Sequence, residues 1–337
     1  MPSYREFHRR SIAEREAFWA EQARLVHWNK PSSRILDYSR PPFARWFVGG
    51  ETNLCYNAVD RHLAARGDQK ALVWISTEVD KTQSFTYRQL HAEVNRVAAM
   101  MRSLGVKRAD RVIVYLPNMP EAVFAILACA RIGAIHSVVF GGFAAASLAA
   151  RIDDAKPALM VTADAGSRMG KIVRYKPLVD EAIGLSKHPP RKVLIFNRGL
   201  DPAMPLAEQR DIDWKTLAEK HGGTEVACTW LESNEPSYIL YTSGTTGRAK
   251  GVLLTVHGML WIVAACWAPI AGLSERDTML SPLPLFHSYA LNLAVLAVLA
   301  TGASEYIMER FSTSEAVRLL KTGEFTYFPG VPTMFHY

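Results

Sequence analysis

From Val112 to Leu116 the chain runs VIVYL, an unbroken apolar stretch set between segments of helical period. A strand that is apolar on both faces must be buried on both, and that confines it to the interior of a mostly parallel sheet covered by helices. The same alternation continues along the chain. Strands are expected at Ser137 to Phe140, Ala158 to Thr162, Val193 to Phe196, Tyr238 to Thr242 and Glu305 to Met308, with helical stretches between them. Thr86 followed by Gln89 has the spacing of a capping box, Leu90, Val94, Val97 and Met101 mark one helix face, and Gly105 stops it. Val123 to Ile132 reads as a second helix, and Ser312 with Glu315 caps a later one ahead of Val317, Leu319 and Leu320. The predicted fold class is α/β, with mostly parallel sheets flanked by helices on both faces. Such sheets place ligands beyond the carboxyl ends of their strands, so the strand-to-helix turns are where chemistry belongs.

The polar segment from Gly199 to Pro236, which holds Pro202, Pro205, Gly222 and Gly223, reads as a connection. It divides the chain into an N-terminal extension over 1–83, a first α/β subdomain over 84–235 and a second over 236–337. With 49% hydrophobic and 21% charged residues, the composition excludes disordered, collagen-like and disulfide-scaffold classes. The net charge of +7, from 39 basic and 32 acidic side chains, is spread along the chain, which suits an anionic small substrate and not a nucleic-acid groove. Cys55, Cys129, Cys228 and Cys266 are far apart, without a CxxC pair or histidines at zinc-ligand spacing, so no metal site and a reducing compartment are expected. The first residues mix Arg9 and Arg10 with Glu6, Glu14 and Glu16 before any apolar run, which is not the pattern of a signal or transit peptide, and a cytoplasmic location is expected.

Two stretches, Gly251 to Leu273 and Ser281 to Ser304, carry no Asp, Glu, Lys or Arg and are long enough to cross a bilayer. His257 and Pro269 interrupt the first, and Pro282, Pro284 and His287 open the second. Neither has aromatic belts or one-sided basic flanks, so no membrane span is expected and both are assigned to buried helices.

The segment richest in chemistry is YTSGTTGRAKG, Tyr241 to Gly251, which leaves the apolar strand begun at Tyr238. Thr242, Ser243, Thr245 and Thr246 supply hydroxyls, Gly244 and Gly247 allow a tight turn with N–H groups exposed, and Lys250 adds a mobile ammonium. A polyphosphate needs converging donors, and backbone N–H groups supply them without burying many cations. The lysine falls three residues after the second glycine and no GK[ST] follows, so the loop is not a Walker A sequence. A merely flexible Ser/Thr/Gly connection is the alternative.

This string resembles the phosphate-binding signature of the AMP-forming adenylating enzymes, which include acyl-CoA synthetases, luciferases and nonribosomal peptide adenylation domains. The resemblance implies that Thr242, Ser243, Gly244, Thr245, Thr246, Gly247 and Lys250 bind the β- and γ-phosphates of ATP. Up to about Phe196 the chain is similar to propionyl-CoA and acetyl-CoA synthetases, through RWFVGGETNLCYNAVDRHL, SFTYRQLHAEVNRVA and HSVVFGGFAAASLAARIDDAKPALMVTADAG. That likeness implies coenzyme A binding by Gly142, Arg168 and Lys171, the last in place of the family's arginine. Taken without it, Arg168, Lys171, Arg174 and Lys176 read as a solvated helix face.

Later the likeness changes. Leu280 to Tyr289, LSPLPLFHSY, resembles the PLFH segment of medium- and long-chain acyl-CoA ligases, and His287 matches its histidine, placed near the acyl carboxylate and α-phosphate. A histidine bonded to backbone is the alternative there. The implied activity is an AMP-forming ligation of a small carboxylate, acetate or propionate or else a longer fatty acid, to coenzyme A, with ATP and Mg2+. The family's Mg2+ site, ribose aspartate and C-terminal lysine lie beyond Tyr337, so a truncated chain without turnover is expected. A non-catalytic nucleotide- or CoA-binding fragment is the competing reading.

Overall fold

A computed structural model describes residues 3–168, 171–242 and 249–335. Two principal sheets organise them. In chain order their strands are β1 (Lys70–Ser76), β2 (Lys81–Thr86), β3 (Arg111–Tyr115), β4 (Ile135–Val138), β5 (Leu159–Ala163), β6 (Lys192–Phe196), β7 (Asp211–Asp213), β8 (Pro236–Thr242), β9 (Lys250–Thr255), β10 (Thr278–Ser281) and β11 (Ser304–Met308). The seven-stranded sheet has the order β7-β6-β5-β3-β4-β8-β9, and the four-stranded sheet the order β10-β11-β1-β2. Pairing is parallel except at one edge of each sheet, β8 with β9 and β1 with β2. The α/β expectation, with parallel sheets flanked by helices, is what the structure has.

The helix Tyr87–Ser103 starts on a full capping box, in which the Thr86 hydroxyl accepts from the Gln89 N–H and the Gln89 side chain accepts from the Thr86 N–H. The helix Pro120–Ile132 is buried along its whole length, packs on Tyr87–Ser103 and Leu54–Ala58, and ends at Gly133 in the left-handed region, φ 73°. Between Glu121 and Arg131 its surface is apolar all round, which is what an interior helix requires. At Ser312 only half of the expected box forms: its hydroxyl accepts from the Glu315 N–H, while the Glu315 carboxylate turns to Arg318 at 2.6 Å.

The uncharged stretches are only partly helical. Gly251 to Thr255 belongs to β9, an edge strand on which Val252 and Leu253 are exposed, and the helix begins at Val256. In the second stretch Ser281 closes β10 and a proline-bearing loop precedes the buried helical run from Ser288 to Thr301. Apolar composition alone cannot distinguish an edge strand from a buried helix. No helix among the described residues is long and apolar enough to cross a membrane. Sheet pairing crosses both boundaries drawn from the sequence: the one at 83/84 falls inside β2, and β8, just after 235, pairs with β4 at Tyr238 and His136.

Candidate functional site

Strands β4 and β5 lie on opposite sides of β3, so the loops after these strands part at a topological switch point. A cavity of about 340 Å3 lies there. Leu116 to Asn118 after β3 and Phe140 with Gly141 after β4 line one side; Pro282, Pro284 and Phe286 after β10 and Glu309 to Phe311 after β11 line the other. The carboxyl ends of the parallel strands of both sheets therefore converge on one space.

Asn118 fastens the two sides together. Its Nδ2 donates to the Leu283 carbonyl at 3.0 Å, its Oδ1 accepts from the Leu285 N–H at 3.0 Å, and the Trp74 indole donates to its backbone carbonyl at 2.8 Å. This fixes the loop that carries His287. The His287 ring is exposed and lies 4.4 Å, centroid to centroid, from Phe286, whose ring is 4.7 Å from that of Phe140. The contact seen for the imidazole is thus aromatic, and the backbone-bonded alternative does not appear among the described residues.

Tyr175 shapes the floor. Its ring stands 5.0 Å from that of Tyr115, whose hydroxyl donates to the Gly141 carbonyl at 3.2 Å. A Cβ on Gly141 or on Gly166 would collide with the Tyr175 hydroxyl, so both positions need the missing side chain for close approach. Burial raises the Tyr175 hydroxyl to about 12, which keeps it protonated as a donor. Gly142, the glycine chosen from the sequence, sits one residue on, where a Cβ would meet the Phe140 ring. Gly141 is the one that faces the cavity.

Arg168 and Lys171 are brought together, but not on a helix. Ala165–Arg168 and Lys171–Arg174 form an antiparallel hairpin in which Arg168 opposes Lys171, and the helix begins only at Tyr175. The solvated-helix-face reading is therefore replaced by a hairpin, and Lys176 leaves the set altogether. Its ammonium is buried against Asp180 at 2.5 Å and Asp211 at 3.0 Å. Asp164, just before the hairpin, is fully buried and accepts the N–H groups of Arg198, Leu200 and Asp201 at 3.0, 2.7 and 3.1 Å. Arg198 then reaches Glu309 at 2.6 Å, a buried ion pair that spans the ends of β6 and β11. Neither Asn118, Tyr175 nor this pair was legible as a site residue, because each acts through a contact distant in sequence.

The hydroxyl-rich segment joins β8 to β9, and Thr242 opposes Lys250 as the last pair of that hairpin. Ser243, Gly244, Thr245, Thr246 and Gly247 lie outside the described residues. Thr242 and Lys250 are both exposed. Since β8 runs parallel to β4, Thr242 leaves the sheet at the edge where Phe140 and Gly141 line the cavity. The hairpin is anchored there: the Tyr241 hydroxyl donates to Asp154 at 2.8 Å, and the Arg151 guanidinium lies 4.3 Å from the Phe143 ring centre and 5.3 Å from that of Tyr241. Thr242 and Lys250 thus stand as two exposed polar groups at the ends of the connecting segment.

Comparison with known proteins points the same way. The family model described as AMP-binding enzyme matches residues 59–337, and that described as acetyl-coenzyme A synthetase N-terminus matches residues 4–58. A propionate–CoA ligase of Salmonella typhimurium is 50% identical over 95% of this chain and 54% of its own length, and that of Escherichia coli is 52% identical over the same shares. The human mitochondrial acyl-CoA synthetase short-chain family member 3 is 41% identical over 79% of this chain and 39% of its own length. Among solved structures, an acetoacetyl-CoA synthetase from Streptomyces lividans superposes with a TM-score of 0.86 at 27% identity, over 97% of this chain and 50% of that one. The chain spans about half the length of the curated relatives it matches most fully.

Proposed function

We propose, for a chain that belongs to the AMP-binding enzyme family and carries the N-terminal region of the acetyl-coenzyme A synthetases, that it supplies the nucleotide- and coenzyme-A-binding part of a short-chain carboxylate–CoA ligase. In that reaction a carboxylate oxygen attacks the α-phosphorus of MgATP to give an acyl adenylate and pyrophosphate, and the coenzyme A thiol then displaces AMP. The observation that carries the reading is the hairpin that sets Thr242 against Lys250 at the sheet edge where the switch-point cavity opens. In this proposal Thr242 and Lys250, with Ser243, Gly244, Thr245, Thr246 and Gly247 between them, hold the terminal phosphates of ATP through hydroxyls, backbone N–H groups and one ammonium. Gly142, Arg168 and Lys171 serve coenzyme A, and the exposed His287 steadies charge at the reacting carboxylate. Mg2+ accompanies the nucleotide and has no assigned ligand here. The location proposed is cytoplasmic.

Propionate is the proposed acid, on the strength of the relatives' names. A longer acid is the second reading, favoured by the aromatic lining of Phe140, Phe286 and Phe311. The test is calorimetric titration of the chain with coenzyme A and then with propionate, acetate and octanoate in the presence of MgATP. Coenzyme A affinity is expected to fall about tenfold in Arg168→Ala, equal to about 1.4 kcal/mol, the worth of one charge-assisted contact. Undiminished affinity in Arg168→Ala together with Lys171→Ala overturns the coenzyme A assignment, and stronger binding of octanoate than of propionate overturns the short-chain one.

A further inference from the structure

Local spacing gave no sign of a metal site, but folding brings three donors together from two segments far apart in sequence. Cys55 lies on the helix Leu54–Ala58, Asp60 in the turn that follows it, and Cys228 in the segment that leads to Leu231. One ligand atom from each lies within 4.8 Å of the others, the two sulfurs standing 3.8 and 3.9 Å from the same Asp60 oxygen, Oδ2. A tetrahedral ion with bonds of about 2.3 Å to sulfur and about 2.0 Å to oxygen needs sulfur–oxygen edges of roughly 3.5 Å, so the donors stand a few tenths of an ångström from ligating geometry. Cys55 is fully buried and Cys228 only partly, which leaves an approach from the Cys228 side.

The surroundings are those of an outer shell. Arg131, itself 5% exposed, donates from Nη1 to Asp60 Oδ2 at 2.8 Å and to the Cys55 sulfur at 3.5 Å, and from Nη2 to Asp60 Oδ1 at 2.9 Å. His91 Nε2 lies 3.4 Å from the same Oδ1. With both thiols protonated, Asp60 and Arg131 neutralise each other. With both ionised, the two thiolates and the carboxylate carry three negative charges against one on Arg131, and one divalent cation restores neutrality. A buried cluster that is neutral in both states avoids the desolvation cost that would forbid either.

We propose that Cys55, Asp60 and Cys228 form a site for a thiophilic divalent cation of the zinc class, with a water molecule completing the tetrahedron and Arg131 holding Asp60 and Cys55 in place. Binding breaks two S–H bonds, releases both protons to solvent and forms two metal–sulfur bonds, without electron transfer. The ion clamps the N-terminal region to the segment ahead of β8, away from the cavity loops.

The test is equilibrium dialysis of the reduced, metal-stripped chain against Zn2+, followed by elemental analysis, with Co2+ as a spectroscopic probe. About one ion per chain is expected, with a thiolate-to-cobalt charge-transfer band in the near ultraviolet. Both are lost in Cys228→Ser and retained in Cys266→Ser, the far-ultraviolet dichroism of each variant being unchanged. Absence of bound zinc in the natural chain overturns the proposal, as does retention undiminished by Cys228→Ser. A cobalt complex without the charge-transfer band overturns it through a readout that needs no variant, and a Cys55–Cys228 disulfide in metal-free protein under reducing conditions does so as well.

Discussion

Single residues show where the energetic tension of the fold lies. Glu121 is buried in the first turn of the helix Pro120–Ile132 with its Oε2 unpartnered, and burial pushes its carboxyl up to about 7. The folded state therefore keeps a proton that the unfolded chain releases near pH 4.5. Stability from this group is intact below pH 4.5, declines as the pH rises toward 7 and stays lower above it, by about 3 kcal/mol in all. Chemical denaturation of Glu121→Gln at pH 5 and pH 8 is expected to show that difference largely removed; an unchanged pH dependence would assign it elsewhere. Gly141 is a second such point. Gly141→Ala forces the Tyr175 ring to move and is expected to cost about 1–3 kcal/mol by overpacking, read as a lower melting midpoint. The sequence shows Gly141 and Tyr175 as letters; that one needs the other's missing Cβ is a relation across some thirty positions of chain, and no local pattern encodes it.

At the scale of elements, what was legible followed period and capping. The six strands expected from apolar runs all form, because a strand buried on both faces has a signature independent of its partners. Edge strands do not. β9 looks like part of a helix, and β2 and β10 gave no distinct signal, since an edge strand is specified by its neighbours more than by its own composition. The loop from Pro282 to His287 is the clearest case in the site. Its residues resemble a known segment, but its position depends on Asn118, far earlier in the chain. Asn118→Ala leaves the Leu283 carbonyl and the Leu285 N–H without that partner and is expected to destabilise the fold by about 1–3 kcal/mol. Faster amide exchange should be confined to that loop, and exchange unchanged at Leu285 would show that Asn118 does not hold it.

For the whole molecule, the decisive arrangement is the meeting of two sheets at the carboxyl ends of their parallel strands. The α/β class and the ligand-bearing edge followed from sequence, whereas the joining of residues 70–86 to 278–308 in one sheet did not, since pairing over such a separation leaves no local trace. The Arg198–Glu309 pair helps hold that meeting. Glu309→Ala, which strands a buried guanidinium, is expected to cost about 3–5 kcal/mol, and the paired change Arg198→Met with Glu309→Leu much less; equal losses would mean that packing and not charge is at stake. The central claim concerns the segment between β8 and β9. The measurement that tests it most directly is the affinity of the intact chain for MgATP, compared with that of Lys250→Ala combined with Thr245→Ala and with a control substitution at the exposed Lys107, at the amino ends of the parallel strands and so at the opposite end from this segment. The expected result is a loss of about tenfold or more in the double variant, corresponding to about 1.4 kcal/mol, and none in the control. Equal affinity in all three would contradict the account.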